Sequence, residues 1–277
     1  MIYKRIKPQL ALQAFVEEYM FFSMTKEESN GRLVTVLPPL PEHGIEFLPK
    51  GLATVVDKQT GEIHVESRVV LFGYPVFRKD FIMPSDAYVV IRVIMTPGSL
   101  FKLLGGLAIG AFTNKVVNAD DVIGNELETV NEQLGDATDY LKMIEVVERY
   151  LLLKLCARRN SFHAIDEVAQ VLERRPEHFS LDWLACQACL SPRQFNRIFT
   201  ERMGIGPKLF SRISRFNKAM AYKEKNPSAD WRSIAYNLGY TDYQHLYKDF
   251  KQFAGVSPPA LLLEGFFNPH RILPNSL

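Results

Sequence analysis

The sequence predicts an α+β protein. An N-terminal β-barrel or sandwich-like domain with helices is followed by an all-α domain of two helix-turn-helix units joined by a long helix. Three observations predict this. Between residues 32 and 95, short β-favouring runs are punctuated by Pro38, Pro39, Pro41, Pro75 and Pro84. From Ser180 to Pro258 one pattern occurs twice, as a structural unit used twice would. Between the copies lies a helical run, Pro207 to Asn226, that stops before Pro227.

A chain of 277 residues is long enough for two domains, expected at 1–158 and 159–277, with the polar stretch Arg158-Arg-Asn-Ser161 as linker. No run of eighteen apolar residues is present, so no membrane span is expected. The first residues lack a small-residue cleavage pattern, so no signal peptide is read. Three cysteines make no disulfide framework and fit a reducing, cytoplasmic setting. The net charge of +2 hides an uneven distribution. Ser191 to Lys251 carries 12 basic against 5 acidic residues, whereas residues 1–158 carry 17 against 20. The basic excess sits on the repeat, where phosphate contacts would need it. A merely solvated helix face is the ordinary alternative.

Taken in order, residues 1–25 read as an opening segment and a first strand containing Val16, Tyr19, Phe21 and Phe22. Strands follow at Leu33–Leu37, Gly44–Leu48, Leu52–Val56, Val65–Phe72 and Tyr88–Met95. The pattern then becomes helical at Gly98–Leu104, Val122–Leu134 and Ala137–Arg158. The last of these carries Leu141, Ile144, Leu151 and Leu155 on one stripe, with Val147 beside it. That stripe packs on its own barrel or forms a two-fold dimer contact.

A small barrel with an apolar interior could hold a ligand. Its candidate lining is Phe22, His43, Glu46, Phe47, Tyr74, Arg92 and Phe101, with His43, Glu46, Tyr74 and Arg92 as the ligand-binding set. Ordinary core aromatics and surface polars are the competing reading. Glu46 and Phe47 are adjacent on one strand, so at most one faces inward. Arg92 breaks an apolar run; if it points inward it needs a carboxylate partner or an anionic ligand.

Ala164–Leu172 opens the second domain as an amphipathic helix. Each repeat then reads as helix, turn, helix. Ser180 and Asp230 are N-cap types ahead of apolar-periodic runs. Ala185 and Ala235 allow close helix approach, and Gly239 suits a turn with positive φ. Cys189 holds the equivalent place in the first copy, at some cost. Ser191-Pro-Arg-Gln194 and Thr241-Asp-Tyr-Gln244 both fit a capping box, and Pro192 suits the first helical position. With Phe195, Ile198 and Phe199 inward, the first recognition helix exposes Arg193, Gln194, Asn196, Arg197 and Thr200. With Leu246 and Phe250 inward, the second exposes Tyr243, Gln244, Tyr247, Lys248 and Lys251. Such groups donate to phosphates and pair with base edges. The run between the copies carries six basic residues against Glu224 alone. As a helix it spans roughly 30 Å, close to one DNA turn of about 34 Å, so two adjacent major grooves are within reach.

Cys186-Gln-Ala-Cys189 lacks a second ligand pair and is read as buried structural cysteine, not a zinc or redox site. The six histidines are scattered without metal-ligand spacing. There is no G-x-S-x-G, phosphate loop or H-E-x-x-H. No enzyme, metal or cofactor is therefore expected.

Residues 162–263 resemble the DNA-binding domain of AraC/XylS-type transcriptional regulators. The resemblance rests on Leu184-Ala185, Leu190-Ser191-Pro192, Phe195-x-Arg197-x-Phe199, Ile234-Ala235, Leu238-Gly239-Tyr240-Thr241-Asp242, Phe250-Lys251 and Gly255-Val256-Ser257-Pro258. More diffusely, Val36-Leu-Pro38, Gly44 to Leu48, Arg92 to Gly98 and Phe112 to Val122 are similar to the sensory or dimerisation domain of one branch of those regulators. The resemblance implies a cytoplasmic transcription regulator, of activator type, that binds double-stranded DNA. It also implies a small-molecule effector, a homodimer formed through the N-terminal domain, and contact with RNA polymerase. The residues alone fix neither the effector nor the sign of regulation.

Overall fold

The computed structural model describes residues 1–28, 34–57, 60–83, 86–156, 163–178 and 180–263. The expected linker at Arg158–Ser161 and the expected strand start at Leu33 lie outside them.

The N-terminal part is an antiparallel sheet domain of ten strands with helices against one face. The strands are β1 (Ile2–Ile6), β2 (Val16–Met24), β3 (Val34–Leu37), β4 (Gly44–Lys50), β5 (Thr54–Asp57), β6 (Ile63–Val65), β7 (Val69–Phe72), β8 (Lys79–Ile82), β9 (Tyr88–Met95) and β10 (Val116–Asn118). They form a six-stranded sheet, β1-β2-β9-β4-β7-β10, and a four-stranded sheet, β3-β8-β5-β6. Strand alternation divides their side chains between two cores. Tyr19, Phe21, Ile45, Phe47, Val69, Leu71, Ile91 and Val93 face the helices. Their sequence neighbours Phe22, Leu48, Val70 and Val90 join Met24, Ala53, Met83 and Tyr88 in a separate cluster. Phe47 is fully buried in the first core. Glu46, on the opposite face of β4, is cross-strand from Arg92.

The covering helices are α1 (Ser99–Leu103), α2 (Asp120–Ile123), α3 (Glu126–Asp136) and α4 (Tyr140–Cys156). The expected single helix at Val122–Leu134 is two, because Gly124 (φ +81) breaks it. The expected strand Val65–Phe72 is likewise two, with Glu66, Ser67 and Arg68 between β6 and β7. On α4, Ile144, Val147, Leu151 and Leu155 are buried as the stripe requires, but Leu141 is 54% exposed at the helix's first turn, beyond the sheet's cover.

The C-terminal part is all-helical. It contains α5 (Ala164–Arg174), α6 (Leu181–Gln187), α7 (Pro192–Met203), α8 (Pro207–Lys225), α9 (Trp231–Asn237), α10 (Tyr243–Ala254) and α11 (Pro258–Leu263). Ser180 accepts from Trp183 N–H and Asp230 from Arg232 and Ser233 N–H, so both expected caps form. Phe195, Phe199, Phe210, Phe216, Phe250 and Phe253 are fully buried and join both units around α8 in one core. The rings of Phe216 and Phe250 meet edge-on at 4.7 Å, those of Phe199 and Phe210 at 5.5 Å.

Candidate nucleic-acid interface

The turn before each recognition helix is a Schellman motif. In the first unit Leu190 N–H bonds Ala185 C=O and Cys189 N–H bonds Cys186 C=O, each at 2.9 Å. In the second, Tyr240 N–H bonds Ala235 C=O at 3.0 Å and Gly239 N–H bonds Tyr236 C=O at 3.1 Å. The motif demands a left-handed residue, and Gly239 (φ +68) and Cys189 (φ +54) supply it. Both Cys186 and Cys189 are exposed, which corrects the expectation of buried cysteines: Cys186 lies on the outer face of α6, opposite the buried Leu184 and Ala185, and Cys189 in the turn. Cys189→Gly should raise the unfolding free energy by about 0.5–1 kcal/mol. The left-handed conformation costs a side chain ~1–2 kcal/mol, and the added freedom of glycine in the unfolded chain returns part of that. The shift in denaturant midpoint measures it.

The two recognition helices start differently. Ser191 and Gln194 form the expected capping box: Ser191 Oγ accepts Gln194 N–H at 3.3 Å, and Gln194 Oε1 accepts both Ser191 N–H (3.2 Å) and Oγ–H (2.8 Å). The second box does not form. Asp242, not Thr241, is the N-cap, and its carboxylate accepts His245 N–H at 2.8 Å. Thr241 is the extra residue of the longer turn, and a carboxylate outcompetes a hydroxyl as acceptor at a helix N-terminus. The correction leaves Gln244 at the second helical position, exposed.

From these caps onward the two helices are in register. Each has twelve residues and ends on a left-handed glycine, Gly204 (φ +80) or Gly255 (φ +76). Phe195, Phe199, Leu246 and Phe250 are buried. Arg193, Gln194, Asn196 and Arg197 are exposed on α7, and Gln244, Lys248 and Lys251 on α10, with Thr200, Tyr243 and Tyr247 half-buried. Arg197 pairs with Glu201 at 3.5 Å, one turn along the surface. Thr200 Oγ1 bonds Asn196 C=O at 2.7 Å. Tyr243 and Tyr247 lie with ring centroids 6.3 Å apart, and Lys251 Nζ stands 5.9 Å from the Tyr247 ring. Helix α8 has nineteen residues. It separates the units by a helix about 28 Å long. It is fastened to the second unit by Arg212, which donates to Asp249 at 2.6 and 3.0 Å, and by Arg215, which donates to Gly239 C=O at 3.0 Å.

The first unit is docked on the sheet domain. Thr113 Oγ1 donates to Gly204 C=O at 2.7 Å, and Asn217 Nδ2 to Pro39 C=O at 2.8 Å. Tyr74 is fully buried there: its ring meets Phe210 at 5.2 Å and His43 at 4.6 Å, and it belongs to the helical core. Phe101 stacks under the Arg202 guanidinium at 4.5 Å. Of the candidate ligand residues, His43 and Tyr74 therefore stand at this joint, while Glu46 and Arg92 face each other on β4 and β9. Arg92 Nε is 3.4 Å from Glu46 and an Nη atom 3.8 Å from Glu42, with the guanidinium 4.0 Å from the Phe72 centroid. Burial pushes the Glu46 carboxyl up, opposed by Arg92. Glu66 is pushed further by burial and by Glu46. Arg92 and Lys79 border a cavity of about 40 Å³ with Leu37, Phe72, Phe81 and Lys115. This charged lining could not be read from strand alternation alone, because Lys79 lies on a strand without an apolar period and Lys115 on the turn before β10. Among the described residues no three His, Cys, Asp or Glu side chains cluster as a metal site would need, and no helix is long and apolar enough to cross a membrane.

A structure of this kind, two capped helix-turn-helix units on one connecting helix, defines a DNA-binding class. Residues 184–262 match the family model described as a helix-turn-helix domain. Residues 184–262 are thus a helix-turn-helix domain of AraC type, and the chain is a DNA-binding transcription regulator. Among solved structures it is similar to ToxT from Vibrio cholerae in its P21 form, at 12% identity and a TM-score of 0.47, covering 88% of this chain and 97% of that one. It is also similar to ToxT from V. cholerae strain SCE256 bound to an unsaturated fatty acid, at 12% identity and a TM-score of 0.45, covering 88% and 95%. The AraC-like activator CuxR aligns at 12% identity and a TM-score of 0.25, covering 80% and 87%. No curated protein matches the chain.

Proposed function

We propose that residues 159–277 read a bipartite operator, with α7 and α10 in adjacent major grooves on one face of the duplex, and that residues 1–158 control that reading. The observation that carries it is the shared frame of the two helices: both run twelve residues from an N-cap to a left-handed glycine, and both hold polar and basic side chains outward where buried apolar residues hold the opposite face inward. Arg193 and Arg197 supply donors for base edges. Lys248 and Lys251 supply phosphate contacts.

Control runs through the joint at α7 and the start of α8. The cavity between Arg92 and Lys79 supports a small anionic effector. At about 40 Å³ it holds a few waters, well below the roughly 300–1,000 Å³ of a drug-sized ligand site. The close filling of the surrounding core also supports a second reading, in which residues 1–158 only dimerise. A change in duplex affinity on adding small carboxylates or inorganic anions favours the first reading, and indifference to them the second.

The test of DNA reading is selection from a pool of random duplexes at two salt concentrations. The expected result is an enriched motif with two half-sites about one helical turn apart. Arg193→Ala and Arg197→Ala should relax base preference, each costing about 1–3 kcal/mol on the preferred site. Lys251→Ala should weaken all sequences alike and lower the salt slope by about one. Specific binding untouched by both arginine variants would remove α7 from the interface.

A further inference from the structure

We infer that the two half-sites differ in kind: Arg193 makes the α7 half-site guanine-specific, and Gln244 makes the α10 half-site adenine-specific. This rests on the reading of α7 and α10 as recognition helices. Counting from the N-caps Ser191 and Asp242, every residue of α7 corresponds to the one 51 later in α10. Both caps and both terminal glycines obey that offset, so the correspondence is geometric, not only a sequence alignment. Arg193 and Gln244 then occupy the same place, the second position of the helix, where a recognition helix meets base edges. Both are exposed.

Their chemistries are not interchangeable. A guanidinium has donors only, so it pairs bidentately where two acceptors lie side by side, at guanine O6 and N7. A glutamine amide has one donor and one acceptor face, which matches adenine N7 and N6. Gln194 cannot blur this by reading adenine from α7. Its Oε1 already accepts two hydrogen bonds from Ser191, so its amide is held to the cap and offers only N–H groups outward. In α10 the same position is His245, whose Nδ1 lies 3.2 Å from Thr241 Oγ1. No hydrogen bond is found for the Gln244 amide among the described residues, and so it keeps both faces free.

The next corresponding pair also differs: the exposed Asn196 amide suits an adenine beside the guanine that Arg193 reads, whereas its counterpart is aromatic. Asn196 on α7 corresponds to Tyr247 on α10, and Tyr247 is paired with Tyr243 in a half-buried aromatic patch. The aromatic faces in the major groove suit contact with the thymine C5 methyl. An A·T pair presents that methyl on the strand opposite the adenine Gln244 reads. Arg197 corresponds to Lys248, which replaces a forked donor by a single charge suited to phosphate.

The experiment is duplex selection with the full chain and two exchanged variants, Arg193→Gln and Gln244→Arg. Both positions are solvent-exposed, and thermal melting checks that the variants fold as the parent does. The wild type should enrich a guanine in one half-site and an adenine in the other, each favoured by roughly five- to 150-fold over the wrong base. Arg193→Gln should turn the guanine position to adenine and leave the other half-site as it was. Gln244→Arg should turn the adenine position to guanine. Two half-sites of the same base preference, or preferences that stay put in both variants, overturn the inference while leaving the tandem reader intact. Absence of any bipartite motif overturns the tandem reader itself, and the inference with it.

Discussion

Asp166→Ala should lower the unfolding free energy by about 3–5 kcal/mol, the usual cost of stranding one member of a buried ion pair. Asp166 on α5 accepts two hydrogen bonds from Arg202 on α7, at 2.7 and 2.5 Å. Their side chains are 11% and 9% exposed. The guanidinium also lies over Phe101 of the sheet domain, so the pair sits where the recognition helix, its supporting helix and the N-terminal part converge. Gly98 completes the enclosure: it has φ +83, and a side chain there would collide with the Asp166 carboxylate. Removing the carboxylate leaves a buried cation with only a ring for company. The double variant Asp166→Ala, Arg202→Met should recover most of the loss, because replacing both partners by apolar groups is often close to neutral. Chemical denaturation of the three proteins gives both numbers. A single variant as stable as the parent would mean that Arg202 reaches water in solution.

The helix-turn-helix half was legible because its grammar is local. Ser180, Asp230, the Ser191 box and the glycines at 204, 239 and 255 act within one or two turns of chain. Besides the exposed cysteines, the misreading there, Thr241 for Asp242, arose where two cap-type residues stand side by side. Sequence spacing counts both equally, and only the geometry of the longer turn chooses. The sheet domain was less legible for a different reason. Lys79-Asp80-Phe81-Ile82 and Val116-Val-Asn118 become strands because neighbours offer free edges, not because their own pattern demands it. Tyr74 is the sharpest case. Nothing near Gly73-Tyr-Pro75 shows that its ring will be covered by Phe210 from the far half of the chain. Long-range packing of this kind leaves no local period. It explains why two of the four candidate ligand residues stand at a domain joint.

That joint should make the protein sensitive to acid. His43 is 1% exposed, and among the described residues neither of its ring nitrogens finds a hydrogen-bond partner. Burial alone lowers its pKa to about 3. The unfolded chain, with an ordinary histidine near 6.5, therefore takes up a proton that the folded chain refuses. The stability His43 allows is complete above pH 6.5 and is lost as pH falls from 6.5 towards 3. At about 1.36 kcal/mol per pH unit the loss reaches roughly 2 kcal/mol at pH 5. Glu173 on α5 works in the opposite sense. Burial, with Glu17 and Glu42 nearby, raises it to about 8, so its share of stability is present at low pH and is lost as pH rises from 4.5 through 8. The two slopes oppose each other between 4.5 and 6.5, and the raised Glu46 and Glu66 carboxyls act in the same sense as Glu173, so the wild-type curve alone does not isolate His43. The difference between wild type and His43→Phe does. Phenylalanine keeps the ring stack on Tyr74 and has no proton to accept. The variant should gain about 2 kcal/mol on the wild type between pH 7.5 and pH 5. The rings run from His43 through Tyr74 to Phe210, Phe199 and Phe195, into the body of the first recognition helix. Because the folded chain holds His43 neutral at pH 5, that stack stays closed and acid acts on stability, through the unfolded chain. A stability difference that stays constant from pH 7.5 to 5 would show that the imidazole is solvated in the folded chain.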